Sequence, residues 1–230
     1  MKSKDVKHFE ELTDIARKYG ATAARIIPAK MVVIDERVRL KCEVPRCAGY
    51  GHYLTCPPYV MPVETFRRIL SGYEWCLLIQ VEAEDINSTD KGKGRINQSI
   101  LKENRQMHRP FRLKLLRIVE AVEAAAFKKG LYLAAGFIGG SCVLCDKCVN
   151  EKTSEVCRHP FRARPPMEAV GINVIRTVKN AGLSIHLSSS KNVIWTGSFE
   201  LKILSQNLKS NLDLGKQDKK IFYPCWVKVV

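Results

Sequence analysis

Residues 4–19, KDVKHFEELTDIARKY, place Val6, Phe9, Leu12, Ile15 and Ala16 at the spacing of one helix face, and Gly20 stands where such a helix stops. AARIIPAKMVVID follows and predicts two short extended segments split by Pro28. RLKCEVPRCAGYGHYLTCPPYVMP, rich in proline, glycine and cysteine, predicts an ordered loop. PVETFRRILSGY predicts a short helix with Pro62 near its first position and Gly72 near its end. EWCLLIQVEA is a dense apolar run and predicts a buried strand.

STDKGKGRIN then predicts a flexible basic loop, and residues 96–129 a helical region broken near Pro110. The second half of that region sets Leu116, Val119, Val122 and Ala126 on one face, with Gly130 at its stop. LYLAAGF predicts a strand that runs directly into GGSCVLCDKCVNEKTSEVCRHP. Beyond it, Pro165 and Pro166 suit a helix start, Met167, Val170, Val174 and Val178 its inner face, and Gly182 its end. NVIWTGSFELKIL and IFYPCWVKVV predict late strands, with SNLDLGKQDKK as the loop between them. Repeats and low-complexity tracts are absent from the chain. The pattern predicts a single domain over residues 1–230 of the α/β class, a mixed sheet flanked by helices. Two cysteine loops, 42–56 and 139–160, are expected to converge near one end of that sheet.

The length of 230 residues is enough to bury a core without covalent staples. No run approaches 18 apolar residues, and the charged start MKSKDVKHFEEL lacks an apolar h-region, so neither a membrane span nor a secretory signal is expected. The expected compartment is therefore the cytoplasm, where disulfides are rare. That changes the meaning of the nine cysteines. Seven fall in two clusters, which in a reducing compartment points to metal or redox chemistry.

Cys142, Cys145, Cys148 and Cys157 have the spacing C-x2-C-x2-C-x8-C. Thiols at i, i+3 and i+6 can wrap one corner of an iron–sulfide cube, with successive sulfurs on different irons. Zinc more often uses two distant C-x2-C pairs, so it is the alternative. The gap of eight lets Cys157 complete the same cluster or serve elsewhere. Gly139 and Gly140 can bring backbone N–H groups to sulfide, or can simply turn the chain. Cys42, Cys47 and Cys56, spaced C-x4-C-x8-C, supply only three thiols. Three can hold a four-iron cluster with one iron open, or the fourth ligand can come from the other group. His52 and His159 are further candidates for it, while Cys76 and Cys225, in strand-like runs, are expected to be structural. The partition of the seven sulfurs stays open.

These residues resemble a known family. C-x4-C, the Gly-Tyr-Gly at 49–51, Cys-Pro-Pro, the triple-cysteine loop, Cys-Arg-His-Pro, Arg-Pro and Met-Glu-Ala-x-Gly are together similar to the predicted metal-binding proteins called domain of unknown function 2284. The likeness spans roughly residues 10–230; Pro166, in place of a small polar residue, departs from it and bears only on a helix N-cap. The resemblance implies metal binding, iron–sulfur in kind, in archaea and anaerobic bacteria, and brings no settled reaction. The ligands it implies are Cys42, Cys47, Cys56, Cys142, Cys145, Cys148 and Cys157.

The formal charge of +15 suggests a redox or acidic protein partner. Bound clusters, at roughly two negative charges each, offset only a small part of it. Aromatics are not interleaved with the basic residues, so no nucleic-acid module is evident. Arg158, Arg162 and Arg164 read as an anion or electron-partner dock, or as a solvated basic loop. Glu168 reads as a general base near an open iron, or as a first-turn carboxylate facing the helix dipole. Lys91, Lys93 and Arg95 lack phosphate-loop context. The functions expected are, first, electron transfer or redox support of an anaerobic enzyme through one or two [4Fe-4S] clusters. The alternatives are an enzyme with an open iron and a zinc-stabilised interaction module.

Overall fold

The computed structural model describes residues 3–84, 106, 108–149, 155–185 and 192–201. Four strands form one sheet: β1 (Ala23–Pro28), β2 (Trp75–Glu84), β3 (Ala135–Phe137) and β4 (Asn192–Leu201), in the order β1-β2-β4-β3. All three ladders run antiparallel, and an isolated parallel bridge joins Ile138 to Pro166. Among the described residues five helices accompany the sheet: α1 (Ser3–Lys18), α2 (Glu36–Glu43), α3 (Val63–Leu70), α4 (Arg109–Lys128) and α5 (Val174–Asn180). The α/β class expected from the pattern is the one observed.

β2 shows why its sequence is a continuous apolar run. Leu77, Ile79 and Val81 face one core cluster, while Cys76 and Leu78 face another. Both faces of the strand are covered, so neither can be polar. On the first face lie Phe9, Leu12 and Ala16 of α1 and Leu115, Ile118, Val119, Val122 and Ala126 of α4. Each fully buried side chain of this kind contributes roughly 1.5–3 kcal/mol. The second face receives Phe66 and Leu70 of α3, with Met167, Val170 and Ile172 of the segment before α5. Phe66 meets Phe137 edge-on, with ring centroids 5.2 Å apart. Cys76 lies fully buried in this cluster, as a structural cysteine should.

Several local expectations change. Pro110 opens α4 at its first turn, where a missing N–H costs nothing. Gly130 (φ 82°) ends α4, and the Leu131 N–H turns back to the Ala126 carbonyl at 3.0 Å. That closure uses up the first half of LYLAAGF, so β3 begins only at Ala135. The extension after Pro28 is a 3-10 turn, Ala29–Met31. The helix expected from Pro165 to Gly182 is two pieces: a 3-10 turn, Glu168–Val170, then α5. Gly171 (φ 87°) separates them, because its carbonyl accepts from the Asp35 N–H at 2.9 Å and the chain must turn there.

The first cysteine loop also begins as helix. Asp35 caps α2, its carboxylate accepting from the Arg37 N–H at 3.0 Å. The Arg37 guanidinium beside it holds the carboxyl down at about 2. α2 stops at Val44, which precedes Pro45 and takes an extended conformation. Cys42 therefore rides on the last turn of a helix. Among the described residues no helix is long and apolar enough to cross a membrane. The expected loops at 88–97 and 210–220, the strand at 221–230, Cys225 and the basic trio Lys91, Lys93 and Arg95 lie outside the described residues.

Candidate metal centre

After Cys42 the chain folds through consecutive tight turns. The Cys47 N–H donates to the Cys42 carbonyl at 3.0 Å, Tyr50 to Cys47 at 3.0 Å, Cys56 to Tyr53 at 2.9 Å and Tyr59 to Cys56 at 3.0 Å. The Gly51 N–H reaches the Pro57 carbonyl at 2.8 Å and closes the loop on itself. Gly49 is needed here because a Cβ on it would stand 3.3 Å from the Cys56 sulfur. Cys47 is exposed, Cys42 intermediate and Cys56 buried.

The second loop leaves the end of β3 at Ile138. Its four thiols, Cys142, Cys145, Cys148 and Cys157, line one narrow pocket. The other walls are Tyr53, Leu54 and Thr55 of the first loop, Leu144, and His159. The loops therefore meet, as expected from the sequence. The electrostatic couplings among the thiols run mainly within each loop. Cys142 interacts electrostatically with Cys148, Cys157 and Cys145. Cys56 interacts first with Cys47 and Cys42, and only then with Cys142. Cys56 also feels Cys142, which couples the thiols of the two loops. Among the described residues no three His, Cys, Asp or Glu side chains already stand together as a cage for a single ion.

Whether this donor set suits a metal–thiolate centre can be judged from the hydrogen bonds to sulfur. The Gly49 N–H donates to Cys47 Sγ at 3.5 Å, and the His159 N–H to Cys157 Sγ at 3.4 Å. The Leu144 backbone does the same for Cys142. In each case the donor is the residue two positions after the cysteine. Amides aimed at sulfur stabilise negative charge there and tune a bound metal. The residues fit a thiolate-ligated metal in both sets.

Without metal the thiols hold their protons. Burial pushes Cys56 up to about 12, with the nearby Cys47 and Cys42 adding to it. Burial likewise raises Cys42 and Cys142. A metal must displace these protons, so binding to either set strengthens as pH rises toward those values. In the metal-free protein at pH 8, Cys56 is therefore held as the neutral thiol. An alkylating reagent followed by peptide mass analysis is expected to modify Cys47 first and Cys56 among the last. Equal rates at the two would contradict the burial described above.

The histidines divide. His159 lines the four-thiol pocket, whereas His52 is exposed on the first loop. The arginines are engaged with protein groups, and Arg158 and Arg162 also remain exposed. Arg162 pairs with Glu120 at 2.8 Å, and Arg164 with Glu123, both on α4. Arg158 donates to the Lys147 carbonyl at 3.0 Å and pairs with Glu155 at 3.4 Å. They tie the exit of the cysteine loop to α4 and to the loop itself.

Glu168 also departs from expectation. Its carboxyl is turned inward and accepts from its own backbone N–H and from that of Gly140. Oε2 of Glu168 is buried with no hydrogen-bond partner. Arg112, buried on α4, was not singled out in the sequence. Its guanidinium donates to the carbonyl of Ser141, next to Cys142, and interacts with Glu168. Arginine on a helix carries no local mark of such a role.

The family described as "predicted metal-binding protein (DUF2284)" matches residues 25–199, narrower at both ends than the span over which the motifs resemble it. No curated protein and no solved structure matches the chain.

Proposed function

The chain belongs to the DUF2284 family of predicted metal-binding proteins, and from that premise we propose that it carries two [4Fe-4S] clusters and moves electrons. The observation that carries this reading is the four-thiol pocket beside a separate three-thiol set. Cys142, Cys145, Cys148 and Cys157 would hold one cluster and Cys42, Cys47 and Cys56 the other. Amides directed at Cys47, Cys142 and Cys157 support the negative charge that bound thiolates and sulfide bring. Two centres meeting near Cys56 and Cys142 form a short path for an electron through the protein.

Zinc is the competing occupant, since four thiolates also suit a closed tetrahedral site that only supports the fold. An enzyme with an open iron is the other alternative, and it requires that the three-thiol set lack a fourth protein ligand. The redox partner is an acidic protein, attracted by the basic excess of the chain. The compartment is a reducing cytoplasm poor in oxygen.

Mediated redox titration under argon, followed by electron paramagnetic resonance, tests the electron-transfer role. Reversible one-electron uptake by both centres is expected within the range of about −700 to +450 mV open to such clusters. Absence of any electron uptake across that range would remove it.

A further inference from the structure

The three-thiol set is incomplete for a four-coordinate metal, and the fold brings a carboxyl with one bare oxygen, Glu168, against the helix that carries Cys42. Glu168 lies in a turn clamped between the two cysteine segments. On one side, Met167 N–H donates to the Ile138 carbonyl at 2.9 Å, and Ile138 N–H to that of Pro165 at 3.1 Å. This fixes the turn against the strand end from which the second loop departs. On the other side, Arg39 of α2 donates to the Ala169 carbonyl at 2.8 Å, and the Asp35 N–H to that of Gly171 at 2.9 Å. This fixes the turn against the helix that carries Cys42.

Between these anchors the carboxyl has one satisfied side and one bare oxygen. The N–H groups of Gly140 and Glu168 serve the former, while buried Oε2 has no hydrogen-bond partner. Of the three first-loop thiols, Cys42 is the one that feels the Glu168 carboxyl. Arg112 is the positive group that faces it. A buried carboxylate oxygen without a donor is costly unless a cation takes that place. Carboxylate oxygen is an ordinary ligand for the metals that thiolates bind.

We propose that Glu168 supplies the fourth ligand to the metal held by Cys42, Cys47 and Cys56, so that no position of that centre is left open. The inference deepens the two-cluster reading and rests on it. It also separates the two centres chemically: one has four thiolates, the other three thiolates and a carboxylate.

The test compares anaerobically purified wild type, Glu168→Gln and Glu168→Cys by iron and sulfide content and by electron paramagnetic resonance. Glutamine keeps the shape and the acceptor for Gly140 but binds metal poorly. Wild type is expected to hold about eight irons per chain. Glu168→Gln is expected to lose about one, with a three-iron signal in the oxidised protein, while the four-thiol cluster stays as an internal control for folding. Glu168→Cys is expected to restore the full count. A Glu168→Gln protein with unchanged iron and an unchanged spectrum overturns the assignment and leaves the two clusters standing. Should Glu168→Gln lose all metal, recovery in Glu168→Cys supports the ligand role and continued loss overturns it. Wild type without iron and sulfide overturns the cluster reading itself, and this inference with it.

Discussion

Replacing Cys145 by serine is expected to remove about half of the bound metal and to leave the other half in place. Cys145 lines the pocket shared by Cys142, Cys148 and Cys157, and the first-loop thiols do not line it. Serine is close in shape but a far poorer ligand for iron or zinc, so the loss falls on one centre. Cys47→Ser is expected to do the converse, removing the metal of the three-thiol set. Both variants keep the sheet and its two cores, because neither position lies in the clusters built on β2. Metal content per chain and thermal unfolding, measured together, separate loss of one centre from loss of the fold. If either substitution strips the protein of all metal, the seven sulfurs serve one shared site and two independent centres are ruled out.

The substitution Gly171→Ala is expected to be far more damaging than its size suggests. The backbone there has φ 87°, and an added Cβ would stand 2.6 Å from Cγ1 of Val63. Val63 opens α3, is buried, and has little rotamer freedom with which to withdraw. Left-handed strain and overpacking each cost about 1–3 kcal/mol, so a total of about 2–6 kcal/mol is expected. In a chain of this length that lowers the melting temperature by about ten degrees. Gly51→Ala is the control. Its φ is 70°, yet nothing stands within 4 Å of the added atom, so only the backbone cost of about 1–2 kcal/mol applies. Because Gly171 closes the turn that carries Glu168, its substitution is also expected to weaken metal retention in the three-thiol set. Comparable melting temperatures for the two alanine variants would contradict the packing described at Val63.

These residues show where a single sequence is informative. Helices and strands with one long apolar pattern were legible, as in α1, β2 and the face of α4, because burial against the sheet dictates their residue types. Stretches in which local hydrogen bonding overrides the pattern were not. Cys42 belongs to a helix because Asp35 caps it, a signal hidden by the cysteine and proline residues downstream. The split at Gly171 comes from a contact with Asp35 more than a hundred positions away, which periodicity does not report. The two cysteine clusters were legible from spacing alone, but not how their loops pack, with Tyr53, Leu54 and Thr55 forming a wall of the pocket lined by Cys142, Cys145, Cys148 and Cys157. Glu168 was visible as a residue of interest, but its inward orientation and its contact with the Gly140 N–H were not.

The most direct test of the two-cluster account is the iron, acid-labile sulfide and zinc content of the protein purified without oxygen. The account predicts a brown protein with about eight irons and about eight sulfides per chain. A colourless protein with about one zinc for each cysteine group would contradict it.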